Sequence, residues 1–144
     1  MMRGIDTGRW AGPGLSLLRI VTGLLFMEHG TSKLLDFPHV DMPMAITVGS
    51  LPWIGGLLEL VGGALLVIGL FSRIAAFILA GEMAVAYWMF HAPQSPFPVQ
   101  NSGDAAILYC FIFLAIAAMG PGPWSVDAAM RTRRIVETKV DEGI

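Results

Sequence analysis

Cysteine is all but missing from this chain: Cys110 is the single one in 144 residues. A lone thiol excludes an intrachain disulfide and a CxxC dithiol pair, and with them thiol–disulfide exchange inside the chain. Cys110 lies in an apolar run, where a thiol reads as an inert small hydrophobe. Charge is scarce as well. Asp, Glu, Lys and Arg make up 14% of the residues against 55% hydrophobic ones, and the mean hydropathy is +0.67, a balance that no ordinary soluble domain needs. A net charge of -2 and a pI near 5.8 give no reason to expect a nucleic-acid partner. Flavin, nicotinamide and iron–sulfur signatures are absent from the sequence. Arg3 and Arg9 precede an apolar segment, but no small-residue cleavage site follows Met27, so that segment reads as a span and not as a cleaved signal.

What is present is a series of long apolar runs broken by prolines. A lipid-spanning helix needs ~20 mostly apolar residues, and the runs predict spans at about 14–35, 53–71, 73–91 and 103–119. The fold class expected is therefore all-α: a membrane-spanning four-helix bundle over 14–124, with a cytoplasmic lead-in at 1–13 and a cytoplasmic tail at 125–144. Prolines 38, 43 and 52 make the first outer loop, which reads either as a cap over the bundle or as a disordered loop, and residues 92–102 make the second. Arg3, Arg9, Arg73, Arg131, Arg133, Arg134 and Lys139 all fall at the N-terminus, the middle turn or the tail. The positive-inside rule then puts both termini in the cytoplasm.

The few ionisable residues within the spans cluster toward one end. At 100° per residue, Arg19, Gly23, Phe26, Gly30 and Lys33 share a sector of the first span, whereas Glu28 points nearly opposite. In the second span Glu59 lies on the same side as Gly55, Gly56, Gly62 and Gly63, a small-residue face that turns it into the packed interior. Glu82 shares a face of the third span with Ala75, Ile78, Ala86 and Met89. With odd spans running outward, Glu28, His29, Lys33, Glu59, His91, Asn101 and Asp104 come out in the outer half. Glu82 then lies only ~5 Å from Glu59 in depth. Arg19 belongs to the other end, where it either snorkels to headgroups or pairs with Asp127. Asp104, in the first turn of the fourth span, also suits the helix N-terminus. The methionines read as packing filler and the tryptophans as interface anchors.

The pieces LRIVTGLLFMEHGTSKL around Arg19, His29, Gly30 and Lys33, the E-x-x-G-G of Glu59 to Gly63, and NSGDAAILY followed by GPGPWSVDA occur in an order that resembles the DoxX family of small four-helix membrane proteins. Asp104 stands where that family commonly carries Glu. The resemblance implies a bacterial cytoplasmic (inner) membrane location and an association with quinone-linked respiration or oxidative-stress redox complexes.

These readings converge on an outer-half chamber lined by His29, Lys33, Glu59 and Glu82, with Glu28, His91, Asn101 and Asp104 as secondary candidates. It would bind a quinone-type amphiphile, with imidazole and ammonium groups hydrogen-bonding its carbonyl oxygens and the carboxylates carrying protons. Electrons would come from a redox partner protein, and whether the chain is itself an enzyme stays open. Haem would need His29 and His91 to face each other, and no two histidines sit at the i, i+4 spacing of a helical metal site, so neither haem nor metal is expected. The alternatives are a polar knot inside a non-catalytic scaffold, and a small-molecule or proton transporter. The glycine-rich face of the second span could pack within the chain or in a homo-oligomer.

Overall fold

The computed structural model describes residues 8–42 and 46–141; Arg3, Pro43 and the extremities of the lead-in and tail lie outside the described residues. Helix α1 covers Gly8–Leu35, starting six residues earlier than the expected span. Pro13 removes one helical bond near its start. Docking of the chain after the last span holds the early turns in place: Ser16 Oγ donates to Gly12 O at 3.2 Å and accepts from Trp124 N at 3.1 Å. Helix α2, Leu51–Ile68, is displaced toward the N-terminus from the expected 53–71. Ser50 Oγ accepts from Trp53 N, a proline sits in the first turn, and Gly69 closes the helix at φ 73°.

Helix α3, Ser72–Ala86, runs on through a π-helical turn at Tyr87–His91. Its N-terminus is capped from a distance, since Asp127 Oδ1 and Oδ2 accept from Phe71 N and Ser72 N at 2.9 Å each. A single turn, α4, Pro98–Asn101, interrupts what was expected to be loop. Helix α5 is Asp104–Met119, and Arg73 Nη1 donates to its last carbonyls, Ala117 O and Ala118 O, at 2.9 and 2.8 Å. Helix α6, Val126–Asp141, forms the exposed tail. The described residues contain no strand.

Two helix pairs build the body, α1 with α2 and α3 with α5. The first pair is antiparallel and meets at glycines seven residues apart on each helix, Gly23 beside Gly63 and Gly30 beside Gly56. Seven residues are about two turns, so both contacts fall on one seam. A Cβ on Gly30 would lie 2.6 Å from Leu60 N and 2.8 Å from Gly56 O, backbone atoms that cannot yield. Gly30→Ala should therefore destabilise the protein by about 1–3 kcal/mol through overpacking. Gly81, with open space around it, should tolerate alanine or gain up to about 1 kcal/mol. Unfolding in mixed micelles compares the two variants directly.

The second pair buries Ala75, Ala76, Leu79, Ala80 and Met83 against Ala106, Phe113 and Ile116. This corrects the face expected for the third span: Ile78 and Met89 are about half exposed, and Glu82 lies on the rim of the contact. Phe26 joins the pairs, edge-to-face on Phe113 with ring centroids 4.8 Å apart. Among the described residues three helices are long and apolar enough to cross a membrane: Gly8–Leu35, Leu51–Ile68 and Ser72–His91. The apolar α5 is shorter, about 24 Å at 1.5 Å per residue. Leu17, Leu24, Val61, Phe77, Leu108 and Phe111 point outward, as a surface bathed in lipid requires.

Candidate functional site

Where α1 and α3 end and α2 and α5 begin, the two pairs leave a cavity of about 620 Å³. Lys33, one turn beyond His29 on α1, reaches across the glycine seam, and its Nζ meets Glu59 Oε1 at 2.6 Å. The Glu59 side chain is 3% exposed and that of Lys33 24%, so the ammonium touches the cavity mouth while the carboxylate is sealed in. Glu82 arrives from α3. A Cβ on Gly55 would lie 3.1 Å from Glu82 Oε1 and 4.0 Å from Lys33 Nζ, so the bare backbone at Gly55 gives that carboxylate its place beside α2. The second oxygens of both groups, Glu59 Oε2 and Glu82 Oε2, are buried without a hydrogen-bond partner among the described residues.

The rest of the wall is mainly apolar. Tyr109 of α5 stands edge-on to His29 with centroids 6.2 Å apart and packs on Phe26 at 5.2 Å. Met42 and Ile46 come from the first loop, so that segment caps the bundle at those residues. His91 lines the far side, its Nδ1 donating to Asn101 O at 2.9 Å and its ring stacked on Tyr87.

Residues 14–92 of the chain match the DoxX family. An uncharacterized protein of Haemophilus influenzae is 40% identical over 124 residues, which cover 78% of this chain and 87% of that protein. The chain belongs to the DoxX family. An uncharacterized membrane protein of Mycobacterium tuberculosis is 27% identical over 149 residues, covering 84% of this chain and 83% of its own. No solved structure matches. With its apolar helices, this DoxX protein is an integral membrane protein.

The family match takes in His29, Lys33, Glu59, Glu82 and His91, and the DoxX fold brings all five to the one cavity. Three of the secondary candidates do not line it. Glu28 is exposed on the opposite face of α1, and Asp104 is exposed at the start of α5. Asn101 is buried but spent on local structure: its amide donates to Ser95 O and its Oδ1 accepts from Gly103 N, both at 2.8 Å. Tyr109 and Gln94 line the cavity and were missed. Ala105, Ala106 and Tyr109 line it from one face of α5, and the two small residues one turn earlier mark Tyr109 as inward. Among the described residues no three His, Cys, Asp or Glu side chains could share a metal ion.

The other end of the DoxX bundle holds Arg19, fully buried. Its guanidinium donates to four backbone carbonyls: Pro121 O at 2.8 Å, Val67 O at 3.0 Å, Leu66 O and Trp124 O. Neither the snorkelling nor the Asp127 pairing expected of it occurs. Each group has better-placed backbone partners, carbonyls at the end of α2 and in the corner before α6 for Arg19, and amides at the start of α3 for Asp127.

In the first loop an exposed triad went unnoticed in the sequence. His39 Nδ1 lies 2.7 Å from Asp36 Oδ1, and its Nε2 lies 3.6 Å from Asp41 Oδ1. The hydrogen bond and charge of Asp36 raise the imidazole above its ordinary pKa. Their contribution to loop order is thus fully present below pH ~6.5 and lost as pH rises through the raised value. An NMR titration should place His39 above an ordinary histidine, and Asp36→Asn should lower it.

Proposed function

We propose that this DoxX protein is a four-span subunit of a quinone-linked or oxidative-stress redox system in the bacterial cytoplasmic membrane, binding a quinone-type amphiphile in the cavity at the Lys33 end. Both termini face the cytoplasm, because Arg9, Arg73, Arg131, Arg133, Arg134 and Lys139 all belong to the opposite end, the α2–α3 turn or the tail. Helix α5, with the turn before it, serves as the fourth span across a locally thinned bilayer.

One observation carries the reading: two carboxyl groups with unpartnered buried oxygens and one ammonium share a mainly apolar cavity. Its volume of about 620 Å³ lies within the roughly 300–1,000 Å³ of small-molecule sites. Lys33, the Tyr109 hydroxyl and a His29 ring N–H are donors for quinone carbonyl oxygens, with the apolar wall taking ring and tail. Reduction to quinol needs two electrons and two protons. The electrons come from a redox partner protein, and Glu82 and Glu59 relay the protons.

Titrating a short-chain quinone into the purified full chain should give one saturable site. Tyr109→Phe should weaken it about 3–10-fold, the worth of one hydrogen bond. Absence of saturable binding to the unaltered protein overturns the reading. The runner-up is a non-catalytic scaffold, favoured by the way the Lys33–Glu59 pair ties α1 to α2. In a scaffold, Glu82→Gln leaves both membrane level and function unchanged.

A further inference from the structure

A second cavity, about 370 Å³, lies at the end of the molecule away from the chamber, between the start of α3 and the outer side of α6. Its chemistry is that of an anion site with an oily collar. Arg73, Arg131 and Arg134 converge on it with a single carboxylate, Asp127. Both oxygens of Asp127 are occupied by the amides of Phe71 and Ser72, which turns that negative charge away from an incoming anion. Arg73 holds its place with Nη1 on the α5 carbonyls and its Nε–Nη2 edge against Gly120, and from there adds its positive charge to the cavity wall. The α6 arginines differ among themselves. Arg133, which does not line the cavity, is tied to Glu137 at 2.9 Å. The guanidinium groups of Arg131 and Arg134, three residues apart on one face, make no hydrogen bond or ion pair with a described residue.

The collar is apolar and open: Phe71 is 59% exposed, Ile74 64% and Met130 42%. Phe71 and Ile74 flank the turn between two helices long enough to cross the membrane, so the arginines stand at headgroup level and the collar at the first acyl carbons. A free phosphate would use the arginines alone. A phospholipid uses both.

We propose that the groove between α3 and α6 binds the phosphodiester headgroup of an anionic phospholipid, with Arg73, Arg131 and Arg134 around the phosphate and the acyl chains over Phe71 and Ile74. A basic groove beside spanning helices on the cytoplasmic side is the arrangement that selects anionic lipids. Occupancy pins α6 to the bundle and adds to the capping of α3 by Asp127.

The test uses the full chain in nanodiscs of phosphatidylcholine doped with phosphatidylglycerol, with lipid retention read by native mass spectrometry and thermal stability read in parallel. Phosphatidylglycerol should be retained in preference to phosphatidylcholine and should raise the melting temperature. Arg131→Gln with Arg134→Gln should weaken retention about 30-fold, the effect of removing two interfacial arginines, while Arg133→Gln leaves it unchanged. Since Arg131 and Arg134 are exposed, the double variant should fold normally in phosphatidylcholine. Equal retention of the two lipids, or full retention by the double variant, overturns the proposal. So does an equal stabilisation by inorganic phosphate alone, which would make the groove a free-anion site.

Discussion

Arg19→Gln should cost the protein about 4 kcal/mol or more, and Asp127→Asn only about 1 kcal/mol. The guanidinium satisfies four carbonyls drawn from α2 and from the segment between α5 and α6. A glutamine amide reaches one or two of them, and each buried acceptor left orphaned costs about 1–3 kcal/mol. Two of the four, Leu66 O and Val67 O, belong to the last turn of α2, where the helix dipole already favours a cation. Arg19→Lys should restore little, because a single ammonium cannot present a planar fork to acceptors on several segments. Asp127→Asn keeps one capping oxygen for the start of α3 and loses the charge, the loss typical of a weakened N-cap. Unfolding each variant in mixed micelles decides the matter: equal losses would mean that Arg19 and Asp127 act as a pair despite their separate partners.

Arg19 also marks the border of what the sequence made legible. Helical geometry put Arg19, Gly23, Phe26 and Gly30 on one face, and all four are buried. It also turned Glu59 inward among glycines, and Glu59 is sealed. These follow from a fixed 100° per residue and from the need of lipid-immersed helices for close backbones. The same geometry could not say what a buried guanidinium bonds to, because its partners are backbone carbonyls, which every residue carries and no letter in the sequence advertises. Helix starts shifted for a related reason. Ser50 and Gly69 cap α2 by local hydrogen bonds and dihedral angles, whereas the apolar run that predicted 53–71 registers only hydropathy. Asn101 and His91 sit side by side in depth, yet only His91 lines the cavity, since Asn101 turned to bind its own loop. Tyr109 lay in an apolar stretch, and its inward stripe is visible only when the small residues before it are counted as cavity wall.

Lys33→Met should be the most damaging change in the chamber, at about 3–5 kcal/mol, because it leaves the buried Glu59 without its partner. Glu59→Gln should cost less, about 1–2 kcal/mol, since Lys33 is 24% exposed and can swing its ammonium to the cavity mouth. The asymmetry comes from depth, not from the strength of the bond the two share. Combining Lys33→Met with Glu59→Met should return most of the lost stability, as replacing a whole buried pair by apolar groups of similar size is often neutral. A double-mutant cycle in mixed micelles, with Glu59→Met alone as its second single variant, measures this, and a combined loss equal to the sum of the single ones would mean that the pair is not coupled. The repaired double variant also separates the two functional readings, because it folds without the charges. If it no longer binds a short-chain quinone that the unaltered protein holds, the charges belong to the ligand. If it binds as before, Lys33 and Glu59 serve only to tie α1 to α2, and the chamber is a by-product of their knot.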